Sequence, residues 1–149
     1  MNFLSTSLFV VAFIVATTLG QEVVPLDQRC LGCICQAISD CNTNAKCDGS
    51  TCGLFRITWA YWADSGKPTQ DGQGPEDQDA YPNCVNEPYC AARSVQGYMN
   101  RFAKDCNGDG AIDCLDYAII HKLGGYGCVG GQITGAYAEK LNQCLVQTG

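Results

Sequence analysis

The sequence predicts a small α+β domain, mostly short helices around a small β segment, cross-linked by disulfides. Three observations carry that expectation. All twelve cysteines lie beyond an apolar leader, and an even count in a short exported chain reads as a disulfide framework. Four stretches space their apolar residues three and four apart, which is the helical period. A fifth, residues 54–62 (LFRITWAYW), is β-branched and aromatic and suits a strand passing into a helix.

In chain order, residues 1–20 are apolar and uncharged, with Thr18 and Gly20 where a signal peptidase would cut. A signal peptide is expected there, against a retained anchor helix, leaving one domain over residues 21–149. Residues 21–29 form an extended lead-in in which Pro25 discourages helix. Leu31, Ile34, Cys35 and Ile38 share one face of a first helix, which Ser39, Asp40 and Asn42 end. Residues 42–53 are rich in Asn, Asp, Gly and Ser and read as turns held by Cys47 and Cys52. Residues 63–81, dense in Gly, Pro and carboxylates, read as a solvated surface loop. Asn86 or Glu87 caps a helix that begins at Pro88 and runs to about Phe102. Two further helices are expected over residues 114–122, stopped by Gly124 and Gly125, and over residues 133–144.

Cys30, Cys33, Cys35, Cys41, Cys47, Cys52, Cys84, Cys90, Cys106, Cys114, Cys128 and Cys144 are all expected in disulfides, with the pairing left open. A zinc site built on CxxC is the alternative, and it lacks a second CxxC pair. Nine basic against fifteen acidic residues give a net charge of −6. Such a surface repels nucleic acid and anionic membranes or bacterial envelopes, so neither nucleic acid nor membrane is expected as a partner.

The words CLGCIC, CGLFRITWAYW, CVNEPYCA, YMNRFAKDCNGDGAIDC and IHKLGGYGC resemble the signature of the invertebrate-type lysozymes, the destabilase family, and most of all its arthropod branch. The resemblance covers about residues 30–144. It implies a lysozyme-like fold in which a first helix and a small β-hairpin face each other across a cleft for peptidoglycan. It also implies a secreted, extracellular, monomeric protein of innate immunity or digestion, binding or cleaving a β-1,4-linked amino-sugar glycan. Where the family often has two further cysteines, this chain has Ser65 and Ser94, as expected if one bridge were lost whole.

The same resemblance points to a break in the chemistry. Glycoside hydrolysis needs two carboxyl groups flanking the scissile bond, one protonated to assist the leaving oxygen. The family's catalytic glutamate aligns with Ile38, a side chain with no proton to give. Losing a general acid forfeits on the order of 10²–10⁴-fold. Weak or absent muramidase activity is therefore expected. The alternative is an active lysozyme using Asp48, in the shortened DGST segment, with Asp40 as substitute acid.

Three other constellations bear on function. Members of the family have been credited with isopeptide cleavage, which needs a serine activated by a base. The single histidine, His121, would have to reach Ser39, Ser50, Ser65 or Ser94, and the family's lysine after F-x-I is Thr58 here. An isopeptidase or protein-binding module is the further alternative. Asp105, Asn107, Asp109, Asp113 and Asp116 fall at calcium-loop positions; the simpler reading is an Asn/Asp/Gly turn, and no cofactor is expected. Phe55, Tyr61, Trp62 and His121 are candidates for sugar contact, beside Trp59, with most of these rings assigned to the core.

Overall fold

The computed structural model describes residues 20–149. The leader expected over residues 1–20 lies, Gly20 apart, outside the described residues. The chain forms a helix-rich α+β fold with two minimal sheets, and six disulfides pair all twelve cysteines.

The extended lead-in becomes β1 (Glu22–Val23), which pairs in parallel with β4 (Ala111–Ile112). Nothing local announces that pairing, since it joins segments almost ninety positions apart. Helix α1 (Gln28–Ser39) begins a turn before its apolar face because Asp27 caps it, its carboxylate accepting from the Cys30 N–H at 2.8 Å. It buries Cys30, Leu31, Cys33, Ile34, Cys35 and Ala37. Asp40 ends it in the left-handed conformation, φ 55°, with its N–H on the Gln36 carbonyl.

Residues 42–50 are turns, as expected, pinned by the Cys47–Cys52 bridge. Strands β2 (Thr51–Cys52) and β3 (Ile57–Thr58) form the antiparallel hairpin. Its turn depends on Gly53 at φ 74°, where a Cβ would fall 1.8 Å from the Val85 carbonyl oxygen. The Thr58 hydroxyl then accepts from the Tyr61 N–H and starts α2 (Trp59–Asp64). The strand-to-helix passage expected of residues 54–62 is thus explained by one cap.

Residues 66–79 are irregular. The loop ends earlier than its composition suggests, at α3 (Ala80–Val85), which the Cys84–Cys90 bridge ties to α4 (Pro88–Phe102). Six residues are too few to show a period, so α3 left no sequence signal. Glu87 caps α4 by accepting from the Tyr89 and Cys90 N–H groups, with Pro88 in the first turn, as expected. Helix α5 (Cys114–Leu123) opens with a capping box of Asp113 and Asp116. Helix α6 (Gly135–Thr148) lies along α1, joined by Cys33–Cys144 and by Arg29 donating to Thr148 at 2.9 Å.

Ile34, Ile57, Val95, Ile120 and Leu141 from five different elements meet in one core at 1% exposure or less. Each such aliphatic side chain contributes about 1.5–3 kcal/mol on burial. Against α4, the close approach of α2 needs Gly97, where a Cβ would sit 2.3 Å from the Ser65 carbonyl oxygen. Ser65 and Ser94, at the two expected half-cystine positions, are bonded locally. Their hydroxyls donate to the carbonyls of Trp62 and Cys90.

Candidate functional site

A cleft of about 770 Å³ opens between the end of α1, the hairpin, α2 and the end of α5. Each wall follows from a local feature. The last turn of α1 presents Ile38, and the hairpin contributes Thr51, Arg56 and Thr58. Tyr61 and Asp64, one turn apart on α2, face the same way. Tyr98 comes from α4, His121 and Lys122 from the last turn of α5, and Tyr126 from the glycine-rich loop after it.

Stacked rings form the back wall. Tyr61 lies face to face on Tyr98, centroids 3.7 Å apart at 10°. Tyr98 tilts onto Phe102 at 4.5 Å, and Phe102 meets the edge of Tyr126 at 5.0 Å. The Tyr98 hydroxyl accepts from the Gly125 N–H at 3.0 Å. That loop passes so near because Gly125 has no side chain; a Cβ there would lie 2.3 Å from the Phe102 ring.

His121 is a strut in this wall. Its Nε2 lies 2.8 Å from the Phe55 carbonyl and its Nδ1 3.0 Å from the Tyr61 hydroxyl. A carbonyl only accepts, so Nε2 carries the proton and Nδ1 accepts from Tyr61. Burial lowers the imidazole pKa to about 4, with the Lys122 charge acting the same way against the hydrogen bond to Phe55. The ring is neutral at ordinary pH. Burial likewise raises the Tyr61 hydroxyl well above its usual range.

Among the described residues, one carboxyl group lines the cleft, that of Asp64, and the Arg101 guanidinium holds it at 3.2 Å. Asp64 is legible in the TWAYWAD word, one turn after Tyr61, although no neighbouring half-cystine marks it as one marks Asp40 and Asp48. Tyr98 and Tyr126 carry no local signal as lining residues, because their segments meet Tyr61 only through tertiary packing; Arg56 shares a word with Tyr61 and enters the lining from the hairpin turn.

The carboxylates expected as candidates go elsewhere. Asp40 turns away from the cleft at the left-handed cap and pairs with Lys140 of α6 at 2.7 Å. Asp48 is exposed in the turn before β2 and bridges in backbone only to Thr51. Neither lines the cleft. Ile38 does, half-buried and packed against the core.

Of the rings expected to touch sugar, Tyr61 and His121 line the cleft, whereas Phe55 and Trp62 are core residues at 4% and 2% exposure. The Trp62 indole N–H donates to the Pro68 carbonyl at 2.8 Å. Trp59, 56% exposed, stands on a neighbouring groove with Tyr81 and Pro82, which shares Thr58 and Ala60 with the cleft.

With both His121 nitrogens on Tyr61 and Phe55, the ring is paired with no serine. Ser39 donates to the Leu54 carbonyl. A serine nucleophile needs a base within about 2.6–3.2 Å, and His121 is not one.

Residues 105–116, expected as an Asn/Asp/Gly turn with calcium-loop spacing, form a hydrogen-bonded turn. Asp105, Asp109 and Asp116 bring carboxylate oxygens within 4.8 Å of one another, and each accepts N–H groups of the turn. Fully buried Asp116 accepts from Cys106, Asn107 and Asp113; Asp105 accepts from Gly108 and Gly110; Asp109 accepts from Ala111 and from the Asn107 amide. Asp113 caps α5. Cys106–Cys128 and Cys30–Cys114 hold the two ends.

Comparison with known proteins places this architecture. A family model described as Destabilase matches residues 27–144. A lysozyme of the mollusc Meretrix lusoria is 36% identical over 126 residues, 80% of this chain and 93% of its own. Invertebrate-type lysozyme 3 of the nematode Caenorhabditis elegans is 34% identical over 102 residues, 66% of this chain and 73% of its own. The complex of Aeromonas hydrophila PliI with Meretrix lusoria lysozyme aligns with a TM-score of 0.60 at 36% identity, over 78% of this chain and 88% of that one. Tapes japonica lysozyme aligns at 0.55 and 28% identity, over 82% and 88%.

Proposed function

This chain belongs to the destabilase family of invertebrate-type lysozymes, and from that premise we propose that it is a secreted binder of peptidoglycan-type amino-sugar chains with weak or absent muramidase activity. Within the family, its motif words favour the arthropod branch.

One observation carries the reading: Ile38 occupies the cleft wall at the aligned acid position, and among the described residues the lining offers one carboxyl group, Asp64, already paired with Arg101. Hydrolysis with retention or inversion needs two carboxyl groups across the sugar bond. Binding asks for less. A cleft with a tyrosine wall, threonine hydroxyls and an arginine suits sugar rings, which present apolar faces and equatorial hydroxyls. Trp59, on the adjoining groove, is a further ring within reach of a longer chain.

Two assays with the purified protein test this. It should sediment with insoluble peptidoglycan while clearing bacterial walls at no more than about 1% of the rate of an active lysozyme, in line with a missing general acid. Robust clearing that vanishes in Asp64→Asn would establish the second reading. That reading is an active lysozyme drawing on Asp64, favoured by the placement of this carboxyl on the cleft wall.

A further inference from the structure

The cleft carries the opposite charge to the molecule around it. The protein has a net charge of −6, yet cations predominate where a ligand would lie. Of its nine basic residues, six have hydrogen-bonded side chains: Arg29, Lys67, Arg93, Arg101, Lys104 and Lys140. Lys46, Arg56 and Lys122 are left. Lys46 is exposed in the turns before the hairpin, and the other two both line the cleft. Lys122 has its ammonium 5.3 Å over the Tyr137 ring, and Arg56, among the described residues, has no side-chain partner. The one carboxylate there is neutralised by Arg101, and His121 is uncharged.

Arg56 is also set in an unusual backbone. It lies at φ 53°, closing the hairpin turn with its N–H on the Gly53 carbonyl. The left-handed region disfavours a long side chain, and residues held there concentrate at functional sites. The same turn places a half-buried arginine in the cleft, its five guanidinium donors without an acceptor among the described residues. A guanidinium fork matches one ligand group best, a planar carboxylate bound by two parallel hydrogen bonds.

We propose that Arg56, with Lys122 lining the same cleft, selects sugar chains bearing carboxylates over uncharged ones. This rests on the glycan-binding reading above and names the ligand class for that site. The carboxylates are those of lactyl and peptide substituents on an amino-sugar chain, or those of uronate rings.

Calorimetric titration at low salt with three oligosaccharides of equal sugar count tests the proposal: an uncharged chitin oligomer, a peptidoglycan fragment with its peptide carboxylates, and an oligouronate. The peptidoglycan fragment should bind at least about tenfold more tightly than the chitin oligomer, the margin expected of a charge-assisted pair. That margin should shrink as salt rises. Arg56→Gln should remove that margin, bringing the affinity for the peptidoglycan fragment level with that for the chitin oligomer in the same variant, and Arg56→Lys should keep part of it. Lys122→Gln, outside the strained turn, should lower it without any change in folding. Arg56-dependent binding of the oligouronate as tight as that of the peptidoglycan fragment supports carboxylate recognition and assigns the natural ligand to uronate chains. Equal affinity for chitin oligomer and peptidoglycan fragment, unaltered in Arg56→Gln, overturns the charge selection and leaves glycan binding standing. Failure of all three to bind removes both.

Discussion

The Tyr61 hydroxyl donates to His121 Nδ1 at 3.0 Å, and the opposite edge of the same imidazole donates to the Phe55 carbonyl at 2.8 Å. One neutral ring therefore couples α2, the hairpin turn and the end of α5, the three elements that frame the cleft. Its protonation would cost the bond from Tyr61, since both nitrogens would then be donors.

That geometry gives the fold an acid-sensitive joint. The folded imidazole has its pKa lowered to about 4 from an ordinary value of 6.5. Between those values the unfolded chain binds a proton that the folded chain refuses. Stability is complete above pH 6.5 and falls as the pH drops toward 4. The loss expected is on the order of 1–3 kcal/mol, reduced from the full shift because one side of the ring meets the cleft. Melting temperatures across pH 4–7 should show this slope in the wild type and a flatter one in His121→Gln.

Ile38→Glu restores a carboxyl at the cleft wall. Half-burial there should raise its pKa toward the range a general acid needs. Wall clearing should rise by about 10² over the wild type, and Ile38→Gln, with no proton to donate, should not reproduce the gain. A rate equal to wild type in Ile38→Glu, with folding intact, would show that the missing acid does not limit activity.

Gly97→Ala tests the packing behind the tyrosine stack. Its Cβ would collide with the Ser65 backbone oxygen at 2.3 Å, and backbone cannot rotate aside as a side chain can. We expect about 1–3 kcal/mol of destabilisation, with the near-ultraviolet dichroism of Tyr61 on Tyr98 altered. Chemical denaturation measures the first and spectroscopy the second.

Asp116 holds the loop before α5 by accepting three backbone N–H groups from within the core. Asp116→Asn puts a donor where only acceptors fit, at a cost of about 1.5–3 kcal/mol. Because N–H groups already satisfy these carboxylates, a chelator should leave the melting temperature unchanged. A chelator-induced drop that Asp109→Ala abolishes would instead establish a bound cation.

Removing the Cys33–Cys144 bridge with a double alanine substitution frees a loop of 111 residues in sequence separation. The chain-entropy relation gives about 4–5 kcal/mol for so long a loop. Urea denaturation should show that loss, with α6 detaching from α1 first by hydrogen exchange, since that bridge and the Arg29 and Lys140 contacts hold the two together.

Much of the fold was legible because its signals are local. Glu87 and Pro88 announce α4, Gly124 stops α5, and Thr58 turns a strand into α2, each within four residues of its effect. The cysteine count implied full pairing, and one hydrocarbon side chain, Ile38, put the expected chemistry in question. Tertiary structure alone decided which charges share the cleft. Asp40, two positions after Ile38, is rotated toward Lys140 by a left-handed cap, and Asp48 remains in solvent. Asp64 and Arg56 arrive instead, from α2 and a strained turn. Their meeting with Tyr98, His121 and Lys122 depends on contacts between residues far apart in the chain, Tyr61 with Tyr98 and His121 with Phe55, which no window of a few residues contains.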